Sequence, residues 1–167
     1  MDRKSVYEQL KIDEGVLYEI YRCPLGHLTF GIGHLITKSD PEYGEPIGTQ
    51  VSEERVNEAF EEDLNVSLRE CGVLYGFRWS SFPDEVKEIL VNMMFNLGRP
   101  RLSKFKKMNG HLENGDWVNA AVEGRDSRWY RQVGNRAERL MTRLENVKER
   151  DLSVHDNESS GRCSWGD

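Results

Sequence analysis

The sequence predicts an α+β protein, in which a small β-sheet lobe near the N-terminus is joined by a long helix to a larger, all-helical C-terminal lobe. Three observations carry that reading. Between Val16 and Ile36 the chain is β-prone and broken by glycine, in "VLYEIY", "HLTFGI" and "HLI". From Ser52 a helical period sets in, with Val56, Phe60, Leu64 and Leu68 four apart. After Pro83 the apolar residues again return at helical spacing. The 167 residues, 37% hydrophobic and 31% charged, suffice for one well-buried core. One domain is expected over 1–148, with the β lobe at about 15–51, the interlobe helix at about 52–71 and the helical lobe at about 72–148 together with the N-terminal helix.

Taken in order, residues 3–13 place Val6 and Leu10, with Tyr7 and Ile12 less regularly, on one side of a short helix ending near Gly15. The β-prone runs that follow, separated by "CPLG", Gly31 and Gly33, predict a hairpin or three-stranded antiparallel sheet. "TKSDPEYGEPIGTQ" reads as loop. Glu53 and Glu54 suit the positive end of the dipole of the long helix. Pro83 opens a helix whose Val86, Ile89, Leu90, Met93, Met94 and Leu97 form the best candidate for the core, and Gly98 closes it. Shorter helices are expected over 102–108, 116–123, the aromatic "SRWYRQ" and 135–147, the last started by Asn135 and Glu138 in a capping-box spacing. The segment 149–167 loses periodicity and is expected to form a flexible acidic tail.

No apolar run approaches the roughly 18 residues that span a bilayer, and the start lacks a secretory core. A soluble protein made in a cytoplasm is therefore expected, with no stable membrane insertion. Cys23, Cys71 and Cys163 are odd in number and form no CxxC pair, so reduced thiols are expected. His27, His34, His111 and His155 stand apart, which argues against zinc; no metal or other cofactor is expected. The net charge of −6 is uneven: residues 101–150 hold 12 Lys and Arg against 7 Asp and Glu. Solvated helix faces and intrachain ion pairs are the commoner reason for such a segment, so no nucleic-acid partner is expected.

Single residues do not decide the chemistry. Glu14 stands at a helix end just before a strand, where its carboxyl group would project between the lobes, yet it is one acid among 29. Cys23 lies in a turn, Thr29 is a good strand former, and His34 reads as a satisfied core imidazole. Asp13 would point away from Glu14 to cap or pair, and Trp129 and Tyr130 read as packing residues. "GIGH" is no dinucleotide fingerprint, and neither a P-loop nor a GxSxG elbow is present.

In combination the blocks say more. "IDEG", "IY", "GHLTFGIGHLITKS", "NMMFNLG", "DWVNAA" and "SRWYRQVGNRAER" closely resemble, in order and approximate spacing over residues 10–144, the T-even bacteriophage lysozyme family of endolysins and tail lysozymes. The family's catalytic signature is a Glu, eight residues, an Asp or in some endolysins a Cys, five residues and a Thr; Glu14, Cys23 and Thr29 fill it. The resemblance implies a lysozyme-like fold with substrate in the interlobe cleft. It implies a muramidase that hydrolyses the β-1,4 bond between N-acetylmuramic acid and N-acetylglucosamine of peptidoglycan for host lysis. Glu14 would be the acid, Cys23 the nucleophile or the group that assists water, and Thr29 the residue holding that water or nucleophile. Arg136 and His34 would support the site, Leu35 and Phe95 would contact substrate, and further contact positions fall at Met108 and Glu123. A monomer is expected, acting from the host cytoplasm on periplasmic peptidoglycan with a separate holin for access. Cys23 in place of an aspartate motivates an alternative, a virion-associated or weakly catalytic wall-binding fold. A cysteine acyl-hydrolase using His27 or His34 lacks a recognisable motif.

Overall fold

The computed structural model describes residues 1–148; the tail expected over 149–167, with Cys163, lies outside the described residues. The fold is α+β. Helix α1 (Arg3–Glu14) is capped by Asp2, whose carboxylate accepts the Lys4 N–H, and it stops at Gly15, whose φ of 73° disfavours any side chain. Val6 and Leu10 enter the core as the spacing requires, but Ile12 is 72% exposed. Ile12 is one position out of the stripe, facing solvent while Asp13 turns inward.

Strands β1 (Leu17–Arg22), β2 (Leu28–Gly31) and β3 (His34–Leu35) form an antiparallel sheet in the order β1-β2-β3. The register sets Tyr21 opposite Thr29 and Thr29 opposite Leu35, with a bulge between Leu17 and Tyr21. Because side chains alternate across the pleat, Tyr21, Thr29 and Leu35 share one face, and Phe30 and His34 share the other. The loop after β3 is more ordered than its composition implies. It returns along the outer edge of β1, where Ile20 N–H donates to the Thr49 carbonyl (2.9 Å) and Val51 N–H to the Tyr18 carbonyl (2.9 Å).

Helix α2 (Glu53–Tyr75) starts where Ser52 accepts the Arg55 N–H (3.1 Å), with Glu53 and Glu54 in its first turn. It runs one turn further than the sequence predicts, because Cys71 and Tyr75 continue the buried stripe. A short α3 (Arg78–Ser81), not anticipated from the sequence, precedes α4 (Asp84–Leu97), the central core helix. The helix expected over 102–108 is instead two, α5 (Arg99–Leu102) and α6 (Lys106–Glu113), broken at 103–105. Helices α7 (Trp117–Arg125), α8 (Arg128–Val133) and α9 (Asn135–Glu145) complete the lobe, with Asp116 and Ser127 as N-caps of α7 and α8. No side chain caps α9, so the capping box expected of Asn135 and Glu138 does not form. Glu138 instead accepts from Arg125 (3.1 Å) and from the Tyr130 hydroxyl (2.6 Å), tying α7 and α8 to α9.

Candidate active site

Glu14 closes α1, and its carboxylate is fixed from the helical lobe. Arg136 Nη1 donates to Glu14 Oε1 at 2.7 Å, while Arg136 Nε donates to the Asn92 side-chain oxygen (3.0 Å) and Nη2 to the Asn92 carbonyl (3.2 Å). Asn92 is buried on α4 and donates in turn to Asp13 Oδ2 at 2.8 Å. Asp13, its side chain 2% exposed, also pairs with Arg139 and lies 3.7 Å from Arg136 Nε. A buried guanidinium with three of its nitrogens committed is a rigid fixture, and its planar fork gives the neighbouring carboxylate one orientation. Asp13, beside Glu14 in sequence, thus offsets the Arg136 charge from the opposite side.

From the β lobe, the β2–β3 turn meets the same carboxylate. Gly33 has φ 68°, and a Cβ placed on it would stand 3.4 Å from Glu14 Oε2, so the glycine serves both the turn and the close approach. Cys23 follows β1 in a tight turn, its N–H donating to the His27 carbonyl (2.9 Å) and its carbonyl accepting from Gly26 (2.8 Å). Desolvation would raise the Cys23 thiol pKa, but the N–H groups of His27, Leu25 and Gly26 and the Thr29 hydroxyl around the sulfur together bring it below its ordinary value. Cys71, buried in α2 beside Glu70, is pushed up to about 12 and is inert by comparison.

Thr29 is 2% exposed, and its hydroxyl lies 3.0 Å from the His27 carbonyl. One hydroxyl proton cannot serve both that carbonyl and the sulfur; an anionic sulfur is the stronger acceptor. Tyr21, paired with Thr29 across the sheet, has its phenol pKa raised by burial and then by the nearby negative charges of Cys23 and Glu14. The Tyr21 ring therefore stands in the field of both groups.

The remaining expected residues divide. Leu35 is 51% exposed on the Tyr21–Thr29 face, and Phe95 is half-buried on α4 with its ring 5.8 Å from that of Phe60. His34 lies on the opposite face of the sheet from Thr29. Its Nδ1 is 2.8 Å from Asp63 Oδ2, and its Nε2 is 3.1 Å from Asp40 Oδ1, close enough for Coulombic attraction but not aligned as a hydrogen bond. Burial would lower its pKa, but Asp63 and then Asp40 outweigh this and raise it. Met108 is buried, while Glu123 borders a groove of about 930 Å³ that Leu25 closes on the β side. Asn92, Tyr21 and Gly33 were not singled out from sequence. Asn92 left a signal, a polar residue inside the apolar run "ILVNMMF". Among the described residues no group of His, Cys, Asp or Glu could hold a metal ion, and no helix is long and apolar enough to cross a membrane.

The family model for phage lysozyme matches residues 11–146. Two proteins of Dictyostelium discoideum, Probable T4-type lysozyme 2 and Probable T4-type lysozyme 1, are each 30% identical to this chain, over 84% of it and 94% of their own length. The pre-baseplate central spike protein Gp5 of Enterobacteria phage T4 is 29% identical over 81% of this chain, which spans 27% of Gp5.

Proposed function

The chain belongs to the phage lysozyme family and is a glycoside hydrolase, and from that premise we propose an endolysin-like muramidase that cuts peptidoglycan for host cell lysis. The observation that carries the catalytic assignment is the pairing of a carboxyl group held by Arg136 with a thiol whose pKa is lowered, presented from the two lobes. Glycoside hydrolysis needs an acid to protonate the leaving oxygen and a second group to support attack at the oxocarbenium-like carbon. Glu14 is the acid and Cys23, as thiolate, is the second group. The Thr29 hydroxyl holds the sulfur or the water beside it. Leu35 and Phe95 contact the sugars from the two lobes, and Arg136 positions Glu14. His34 supports the sheet from its other face. A monomer that reaches periplasmic peptidoglycan from the cytoplasm through a separate holin completes the reading.

The test is lysis of permeabilised Gram-negative cells with wild type and Glu14→Gln, followed by mass spectrometry of the released fragments. Disaccharide-peptides with a reducing muramic acid end, formed only when Glu14 is intact, are expected. Intact sacculi carrying bound protein would instead establish a wall-binding fold without efficient catalysis. The configuration of the first-formed product separates attack by sulfur, which retains it, from attack by sulfur-assisted water, which inverts it.

A further inference from the structure

We propose that Arg22 is a positioning residue for Cys23: through the Gly26 carbonyl it locks and polarises the peptide group whose N–H lies against the Cys23 sulfur, so that the β1–β2 turn holds that sulfur as a thiolate. This inference rests on the muramidase reading, in which the thiolate is the second catalytic group. The turn is Cys23-Pro24-Leu25-Gly26, with proline second and glycine fourth, and it closes where Gly26 N–H donates to the Cys23 carbonyl (2.8 Å). Gly26 has φ 87°, a conformation that disfavours a side chain, and it leads into His27, whose carbonyl accepts the Cys23 N–H (2.9 Å). Arg22 stands opposite Leu28 and Tyr21 opposite Thr29, so the pleat sends Arg22 to the face away from Thr29. Thr29 meets the Cys23 sulfur on its own face. From the far face Arg22 Nη1 reaches back to the Gly26 carbonyl at 2.8 Å.

That carbonyl belongs to the same peptide group as the His27 N–H, one of the donors around the sulfur. A trans peptide group is planar, and its C=O and N–H point in opposite directions; the described residues contain no cis bond. The guanidinium therefore stands at one end of the peptide group and the sulfur at the other. A positive charge at the oxygen draws electron density from the nitrogen and strengthens the N–H as a donor, the cooperative effect of hydrogen bonds in a chain. An anionic sulfur gains more from that donor than a neutral thiol does. Arg22 has no carboxylate partner among the described residues, and its one hydrogen bond there is to Gly26. Between residues 16 and 51 the chain holds only Arg22 and Lys38 as Lys or Arg, so a cation at this turn is not part of a basic surface. The other ionisable groups oppose the anion, are committed or stand apart. Glu14 and the Tyr21 phenol share the field of the sulfur. Arg136 is committed to Glu14 (2.7 Å), His27 has its side chain exposed, and Lys104 and Arg128 border the groove beyond Leu25.

The experiment follows alkylation of Cys23 by iodoacetamide across pH in the full chain, read by mass spectrometry on the peptide that carries it, for wild type, Arg22→Ala and Arg22→Lys. It measures kcat/KM for wall hydrolysis over the same range. A single donation needs no fork, so a lysine can supply both the proton and the charge. Arg22→Ala is expected to raise the alkylation midpoint by about one pH unit, which is about tenfold less thiolate below the midpoint, and to move the acid limb of kcat/KM upward with it. Arg22→Lys is expected to restore both. Arg22 is exposed, so an unchanged thermal midpoint checks the fold of each variant. A midpoint unmoved in Arg22→Ala, or raised equally in both variants, overturns the inference. A raised midpoint with an unchanged kcat/KM profile keeps the role of Arg22 and removes the thiolate from the muramidase reading. Loss of cutting in Cys23→Ala together with an unmoved midpoint in Arg22→Ala keeps that reading and sinks the role of Arg22.

Discussion

At the scale of the residue, the site depends on side chains with several simultaneous duties. Arg136 donates through three nitrogens, a pattern no lysine can copy. Arg136→Lys is expected to lower kcat about 10²-fold by letting Glu14 drift and to cost about 1–3 kcal/mol of stability, read by wall-lysis kinetics and denaturant unfolding. Cys23 is the second such residue. Cys23→Ala should lose most activity, while Cys23→Asp should keep or raise it and move the pH optimum downward. The sign follows from the anion required: a thiolate population grows as pH rises toward the thiol pKa, whereas a carboxylate is already ionised well below neutrality. Equal turnover by wild type and Cys23→Ala would remove the thiol from the mechanism. The family resemblance marks Glu14, Cys23 and Thr29 as candidates in the sequence, and the structure sets Glu14 against Arg136 and the Thr29 hydroxyl beside Cys23. The Asp13–Asn92–Arg136 chain was not legible in the sequence, because its members lie 79 and 44 positions apart and meet only after α1, α4 and α9 pack.

At the scale of the element, helices were legible where an apolar stripe was long and failed where it was short. α2 and α4 carry many buried residues, so periodicity located them within a turn. α5 and α6 each bury only one or two residues, and the break between them has no strong turn signal. The loop after β3 looked unstructured because its order comes from distant partners. Arg55 on α2 donates to Glu42 (2.8 Å) and Asp40 (3.0 Å), and Asp40 faces His34. This anchor depends on pH in two directions. The raised His34 pKa contributes stability that is full below its ordinary value near 6.5 and lost as pH rises through the folded value. Asp40, whose pKa burial would raise but the Thr37 N–H and then His34 bring down overall, contributes stability that is full above the ordinary carboxylate range and lost as pH falls through its folded value. His34→Asn should therefore cost about 1.5–3 kcal/mol near pH 5.5 and much less near pH 9. Denaturant midpoints at the two pH values check it. The α7–α9 contact offers a second prediction: a Cβ at Gly124 would collide with the Met141 sulfur. Gly124→Ala should cost about 1–3 kcal/mol, and Met141→Ala in the same chain should cost less than its separate effect adds.

At the scale of the whole molecule, the two-lobe α+β plan was legible because the switch from period-two to helical patterning falls between Ile36 and Ser52, and the charge asymmetry was legible as a count. How that charge is deployed was not. Several arginines of the 101–150 segment are consumed by ion pairs, Arg125 with Glu138 and Glu145 and Arg143 with Glu85 and Glu88, whereas five cations converge on one groove. Overall charge and local charge therefore pull apart. Raising salt from low to about 0.3 M should weaken attraction of an anionic wall to these cations, because screening lengths fall below about 10 Å, even though screening also relaxes repulsion between a net acidic protein and that wall. A fall in sedimented protein checks the balance. The return of residues 48–51 along β1 has a consequence of a different kind. With β1 bonded on both sides, the sheet among the described residues ends on the two-residue β3 at one side and on the short 48–51 segment at the other. Each is too short a template for strand-on-strand assembly, so concentrated stocks should stay monodisperse and resist fibre growth on prolonged agitation.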